Sequence, residues 1–214
     1  MEETIRIGIS YKISWKNPVP MRVQNFYYSL KHKAISYLGT EKSNGKVFCI
    51  GYNKTGTTSL GRALEMLGYN NSSFNKNIFE DYKNGKILNV LKYTAKFDSC
   101  DDLPWLKEDM IPILDQVFPG SKFIYLKRNE ESWLKSYQNW RLQSFNEHID
   151  PERALEDFRK HKDFVFQYFS NRPAEDFLAV DIGDPEGFQK VAHFLNKTTE
   201  RKRFPRFNRG KYQE

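Results

Sequence analysis

The chain holds little that would fix a structure by covalent or metal chemistry. Its 214 residues include two cysteines, Cys49 and Cys100, with no CxxC or Cys/His spacing. That excludes a disulfide framework and a structural zinc site, and it points to a reducing compartment, the cytoplasm. Long apolar runs are also missing: no stretch approaches the ~20 residues of a membrane span. The first residues, MEETIRIGIS, carry acids where a signal peptide needs a basic start. No G-x-G-x-x-G occurs, so a dinucleotide fingerprint is excluded, and no RNA- or DNA-binding motif, internal repeat, low-complexity tract or linker is found. What remains is one domain over residues 1–214, long enough to close a single core without staples.

Positive charge is present in excess. Lys and Arg number 34 against 27 Asp and Glu, a net charge of +7, which favours anionic ligands such as phosphate, sulfate, nucleic acid or acidic glycans. Aromatic residues make up 15%; most stand at helix spacing and read as core, while some of Tyr52, Trp105, Trp133 and Trp140 are candidates to stack on a base or sugar. N-x-S/T sequons begin at Asn53, Asn70, Asn71 and Asn196. A glycan on Asn53 would sit in the loop described next, which favours the cytoplasm or folding that buries the sequon before it can be modified.

Residues 1–45 read as a lead-in with a short strand (IRIGISYKI), a proline-marked turn at 17–20 and a helix over about 23–37, and carry no assigned chemistry. KVFCIGY (46–52) is a buried strand ended by a glycine turn. From Thr57 to about Leu67 the spacing of Leu60, Leu64 and Leu67 predicts a helix that stops at Gly68. Residues 70–86 read as loop or loose helix, and LKYTAKFDSC as a second strand ending near Asp98. Met110–Phe118 reads as a helix, KFIYLKR (122–128) as a third strand, and ESWLKSYQNW as the start of a helix capped by Asn129. Pro151–Phe169 is a helix, FLAVDI (177–182) a fourth strand, and Pro185–Asn196 a helix with Phe188, Val191, Ala192 and Leu195 on one face. Strands alternating with helices predict a three-layer α/β/α fold around a mainly parallel sheet.

The chemistry concentrates in CIGYNKTGTTSL (49–60). A strand, a glycine turn and a helix N-terminus aim backbone N–H groups and the positive end of the helix dipole at one point, a geometry that binds phosphate or sulfate. Thr55, Thr57, Thr58 and Ser59 add hydroxyls, and Lys54 adds a full charge. The nucleotide P-loop, G-x-x-x-x-G-K-[ST], puts lysine straight after the second glycine. Here Gly51 and Gly56 match, yet position 57 is Thr and the lysine precedes Gly56.

Lys54-Thr55-Gly56-Thr57-Thr58 resembles the 5′-phosphosulfate loop of sulfotransferases, K-[ST]-G-T-[TS], in a P-loop-like fold. FPGSKFIYLKRNEESWLKSY resembles that family's 3′-phosphate element, a strand ending in Arg followed eight positions later by a helical Ser, here Arg128 and Ser136. The tail RKRFPRFNRGK resembles the segment that closes the domain in carbohydrate-type relatives. The resemblance covers about residues 46–208. It implies a metal-independent transfer of a sulfuryl group from 3′-phosphoadenosine-5′-phosphosulfate to a hydroxyl or amine. Lys54, Thr55, Gly56, Thr57, Thr58, Ser59, Arg128 and Ser136 would hold the donor, and Arg201 and Arg206 would reach its 3′-phosphate or an acidic acceptor. A cation at the loop is useful where charge develops on the departing phosphate, and a guanidinium grips phosphate with two prongs.

Transfer to an alcohol also needs a base. Asp98, read as ending the second strand at the loop's sheet edge, is the first candidate and His148 the second, while Asp101 and Asp102 are neighbours suited to substrate binding or helix capping. Alternative readings are a P-loop kinase or NTPase and a non-catalytic binder of anions or nucleic acid. The acceptor is set by variable loops, here 70–95 and 138–165.

Overall fold

The computed structural model describes residues 45–205 and, apart from them, Ser29. The lead-in elements expected over residues 1–45 lie almost wholly outside that range, as does Arg206. Five strands, β1 (Val47–Cys49), β2 (Asn71–Ser72), β3 (Ser99–Asp101), β4 (Lys122–Lys127) and β5 (Phe177–Asp181), form one sheet in the order β2-β3-β1-β4-β5. Every pairing is parallel, with Phe48 opposite Cys100 on one side and Phe123 on the other.

Alternation along the strands decides which face each side chain serves. Phe48, Ile50, Phe123 and Tyr125 pack on one face with α3 (Ile87–Thr94), α4 (Met110–Val117) and α6 (Pro151–Phe169). Val47, Cys49, Ile124, Leu126 and Val180 pack on the other with α1 (Thr57–Met66) and α7 (Gly187–Phe194). Strand β1 is therefore apolar at every position, and β4 is apolar between its terminal lysines, as a sheet covered on both faces requires. Two helices complete the chain order: α2 (Lys76–Lys83), capped by Asn75, and α5 (Glu130–Phe145), capped by the Asn129 side chain accepting from the Ser132 amide. Among the described residues no helix is long and apolar enough to cross a membrane.

The structure corrects the reading of residues 70–101. Ile87, Val90, Leu91 and Thr94 recur at i, i+3, i+4 and i+7, and the segment forms helix α3 with Val90, Leu91 and Thr94 buried. The strand follows it, at Ser99–Asp101. Asp98 thus precedes β3: its carbonyl accepts the Val47 amide at 3.0 Å where β1 begins, and its carboxylate accepts the Asn70 amide at 2.9 Å. It lies at the sheet edge opposite the loop, so its placement beside the loop fails. The two-residue β2 is polar and too short to announce itself.

Candidate active site

Strand β1 sits between β3 and β4, so the chain leaves its C-terminal end at the point where the sheet order reverses, which is where parallel α/β sheets bind ligands. The loop 50–56 fills that crevice. Gly56 stands at φ 112°, and a Cβ there would meet Ile182 Cγ1 at 2.8 Å, so only glycine fits. No side chain caps α1, whose N-cap is Gly56. A helix start left in that condition is suited to an anion.

The loop's carbonyls are held by side chains from the second half of the chain. His161 donates from Nε2 to Ile50 O at 2.8 Å, Trp133 from Nε1 to Asn53 O at 2.8 Å, and Arg128 from Nη1 to Lys54 O at 2.6 Å. Within the loop, the Thr55 hydroxyl donates to Tyr52 O at 2.7 Å. Tyr52 itself packs edge-on against Trp133 and Phe158 and lies 5.1 Å from the His161 ring. The hydroxyl of fully buried Thr55 therefore braces the loop, whereas Thr57 and Ser59, nearly buried, and half-exposed Thr58 open α1.

Lys54 is half-buried and adopts φ 67°, unusual for a residue with a Cβ. Burial pulls its ammonium below the usual lysine range; Asp102 opposes that change and Arg128 adds to it. Its Nζ stands 5.6 Å from the Trp140 ring centroid. Trp140 is the one of the four aromatic candidates with a part-exposed ring beside the lysine. Trp105 is core, donating to Thr94 Oγ1, and Trp133 is fully enclosed.

The acid that faces this lysine is Asp102, one residue beyond β3. Its Oδ1 accepts from Asn53 Nδ2 at 3.1 Å and from the Leu103 amide at 2.8 Å. Burial raises its pKa, while the Leu103 bond and Lys54 hold it down. The signal for it was the run Asp101-Asp102 before Leu103-Pro104; placing the strand end three residues early moved attention to Asp98. Asp101 points into the fold instead, accepting from Asn71 Nδ2 and Ser73 Oγ, both at 2.7 Å, and burial pushes it up to about 6.

The other candidates separate. Arg128 reaches the loop, with its Nε 3.3 Å from Ser132 Oγ, and Ser136 is buried on the same helix. His148 is exposed between α5 and α6, lining a shallow cavity of about 230 Å³ with Leu142, Glu147 and Ile149. Arg201 lies 4.0 Å from Met66 Sδ, at the far end of α1 from the loop. Buried Phe204 packs against Phe188 and Gly187 and pins the tail there, so the structure does not bring Arg201 to Lys54.

Residues 46–150 match the sequence family described as a sulfotransferase domain. No curated protein matches the chain. Among solved structures, the sulfotransferase domain from the curacin biosynthetic pathway is similar, with TM-score 0.50, 16% identity and coverage of 74% of this chain and 76% of that one. A sulfotransferase from Alicyclobacillus acidocaldarius gives 0.52, 16%, 73% and 83% in the same terms. A mouse sulfotransferase complexed with PAP gives 0.51, 18%, 76% and 64%. At these identities the neighbours speak for the fold, and the sequence match speaks for the part of the chain that carries the loop. The resemblance first seen in Lys54-Thr55-Gly56-Thr57-Thr58 is thus borne out: residues 46–150 match a sulfotransferase domain and the chain shares the fold of these neighbours.

Proposed function

We propose that the protein is a sulfotransferase taking its sulfuryl group from 3′-phosphoadenosine-5′-phosphosulfate and delivering it to a hydroxyl, in the cytoplasm. The observation that carries this is the strand order. Asp102 follows β3, Lys54 follows β1 and Arg128 follows β4, so acid, lysine and guanidinium stand in that sequence along one sheet edge. An in-line displacement needs an entering oxygen on one side of sulfur and a leaving oxygen on the other. With Lys54 in the middle, a proton acceptor on the β3 side and a phosphate grip on the β4 side meet that need.

The residues fit such a donor. The uncapped start of α1, the ammonium of Lys54 and the loop hydroxyls suit the 5′-phosphosulfate, and Arg128 with Ser136 suits the 3′-phosphate. When bound, the donor supplies a sulfuryl group already activated on a phosphate. Lys54 then offers a fixed cation where negative charge grows on the departing phosphate oxygen. Asp102 takes the proton of the acceptor hydroxyl. In this reading it replaces Asp98, which stands at the wrong edge, and His148, which lacks Asp102's bond from Asn53 and its electrostatic pairing with Lys54.

Isothermal titration with adenosine 3′,5′-bisphosphate in the absence of Mg²⁺ tests the donor assignment. Binding is expected, and Mg²⁺-dependent binding of ATP in its place would refute it. A screen of hydroxylated compounds with labelled donor then identifies the acceptor.

A further inference from the structure

Two of the loop's carbonyl contacts come from the end of β4 and the first turn of α5, and together they bracket the lysine. Trp133 holds Asn53 O and Arg128 holds Lys54 O, the peptide groups on either side of the Lys54 Cα. A trans peptide sets its N–H opposite its C=O, so fixing both carbonyls fixes both peptide planes around Lys54. That is the residue at φ 67°, a conformation that a Cβ-bearing residue keeps only when its surroundings impose it. Trp133 is fitted to this task and to no ligand. Its side chain is fully buried, stacked on Phe158 at 4.3 Å and on Tyr137 at 5.0 Å between ring centroids.

We infer that Trp133 and Arg128 are positioning residues for Lys54, and that Arg128 couples the 3′-phosphate site to the setting of the phosphosulfate loop. This rests on the donor reading above. Arg128 then has two duties at once: Nη1 on Lys54 O, with Nε 3.3 Å from Ser132 Oγ, and its positive charge for phosphate. A 3′-phosphate drawn to that charge also pins the arginine, and through it the loop.

The two duties part company on a ligand without a 3′-phosphate. Trp133→Phe removes the Nε1 donor while keeping an aromatic ring in the stack. Arg128→Lys keeps a cation and loses the fork. Affinities for adenosine 3′,5′-bisphosphate and for adenosine 5′-phosphosulfate, which has no 3′-phosphate, are measured by titration calorimetry beside the urea midpoint of each variant. Arg128→Lys is expected to weaken adenosine 5′-phosphosulfate about tenfold, the scale of one hydrogen bond to a charged group. Trp133→Phe should weaken both ligands by a similar factor. If Arg128→Lys weakens only the 3′-phosphorylated ligand, or Trp133→Phe binds both as the wild type does, the coupling is wrong and the donor reading stands. If the wild-type protein binds neither, both fall. Should Trp133→Phe fail to fold, the half-buried Arg128 position still decides.

Discussion

The pH dependence of stability offers a test of two buried groups whose effects oppose each other. Asp101 is 1% exposed, and burial raises its pKa from 3.8 to about 6 against the bonds from Asn71 and Ser73 that favour its charge; Asp102 and Glu65 push the same way as burial. His161 is 2% exposed, and burial lowers its pKa from 6.5 to about 4, with Lys107 assisting and the bond to Ile50 O resisting. Its Nδ1 faces Glu108 at 3.9 Å, but that carboxylate is half in water and offsets little. Between pH 3.8 and 6 the native chain keeps a proton on Asp101 that the unfolded chain gives up. Its contribution is whole below 3.8 and lost as pH rises through 6. Between pH 6.5 and 4 the unfolded chain gains a proton on its histidine that the native chain refuses, so that contribution is whole above 6.5 and lost as pH falls through 4. At about 1.4 kcal/mol per pKa unit, each slope amounts to about 3 kcal/mol. The sum across pH 4–6.5 is close to flat in the wild type. Asp101→Asn should expose a rise of about 3 kcal/mol with pH, and His161→Gln a fall of similar size. Urea unfolding at half-unit pH steps reads both. Variants with the wild-type slope would refute the burial argument for both groups.

Other outcomes follow from single contacts. In Gly61→Ala, a change worth about 1 kcal/mol in favour of a helix is reversed in sign. The new Cβ would stand 2.2 Å from Asp101 Oδ2 and 2.7 Å from Asn71 Nδ2, and the net loss should be roughly 1–3 kcal/mol by urea titration; an unchanged midpoint would contradict the packing. Lys54→Ala should reduce transfer by roughly 10² or more with the unfolding midpoint kept, and full activity would remove the loop from the mechanism. The rate of the wild type should rise with pH through a midpoint above the ordinary carboxylate range, because burial raises Asp102. Asp102→Asn should flatten that limb and slow transfer by roughly 10²–10⁴, so a limb that persists in the variant would point to another base.

The sequence was most legible where one physical signal sufficed. The apolar strands, the Leu60/Leu64 face of α1 and the Asn129 cap are local patterns, and they stand as read. Residues 70–101 were not legible in the same way, because LKYTAKF satisfies both a short strand and one face of a helix. Only its packing of Val90 and Leu91 against the sheet decides. The error moved the strand end by three residues and exchanged Asp98 for Asp102. Arg201 stands apart from the loop for a different reason: the tail's resemblance suggested a ligand, whereas buried Phe204 fixes where the segment runs.

The deepest part of the site had no local signal at all. Lys54 and Asp102 both hold left-handed backbone, at φ 67° and 68°, although neither position carries the glycine that such a conformation favours. Each costs about 1–3 kcal/mol, and each is held by hydrogen bonds from other residues. Trp133 and Arg128 hold the first, and Asn53 with the Leu103 amide holds the second. The left-handed turn at Asp102 directly follows β3, and that at Lys54 lies within the loop after β1, so both bends stand at the same end of the sheet. The strain therefore lies in the two residues proposed to serve the leaving and entering oxygens. Its release on loss of the α5 contacts would loosen the lysine first, because Asp102 keeps the bond from the Leu103 amide, which does not involve that helix.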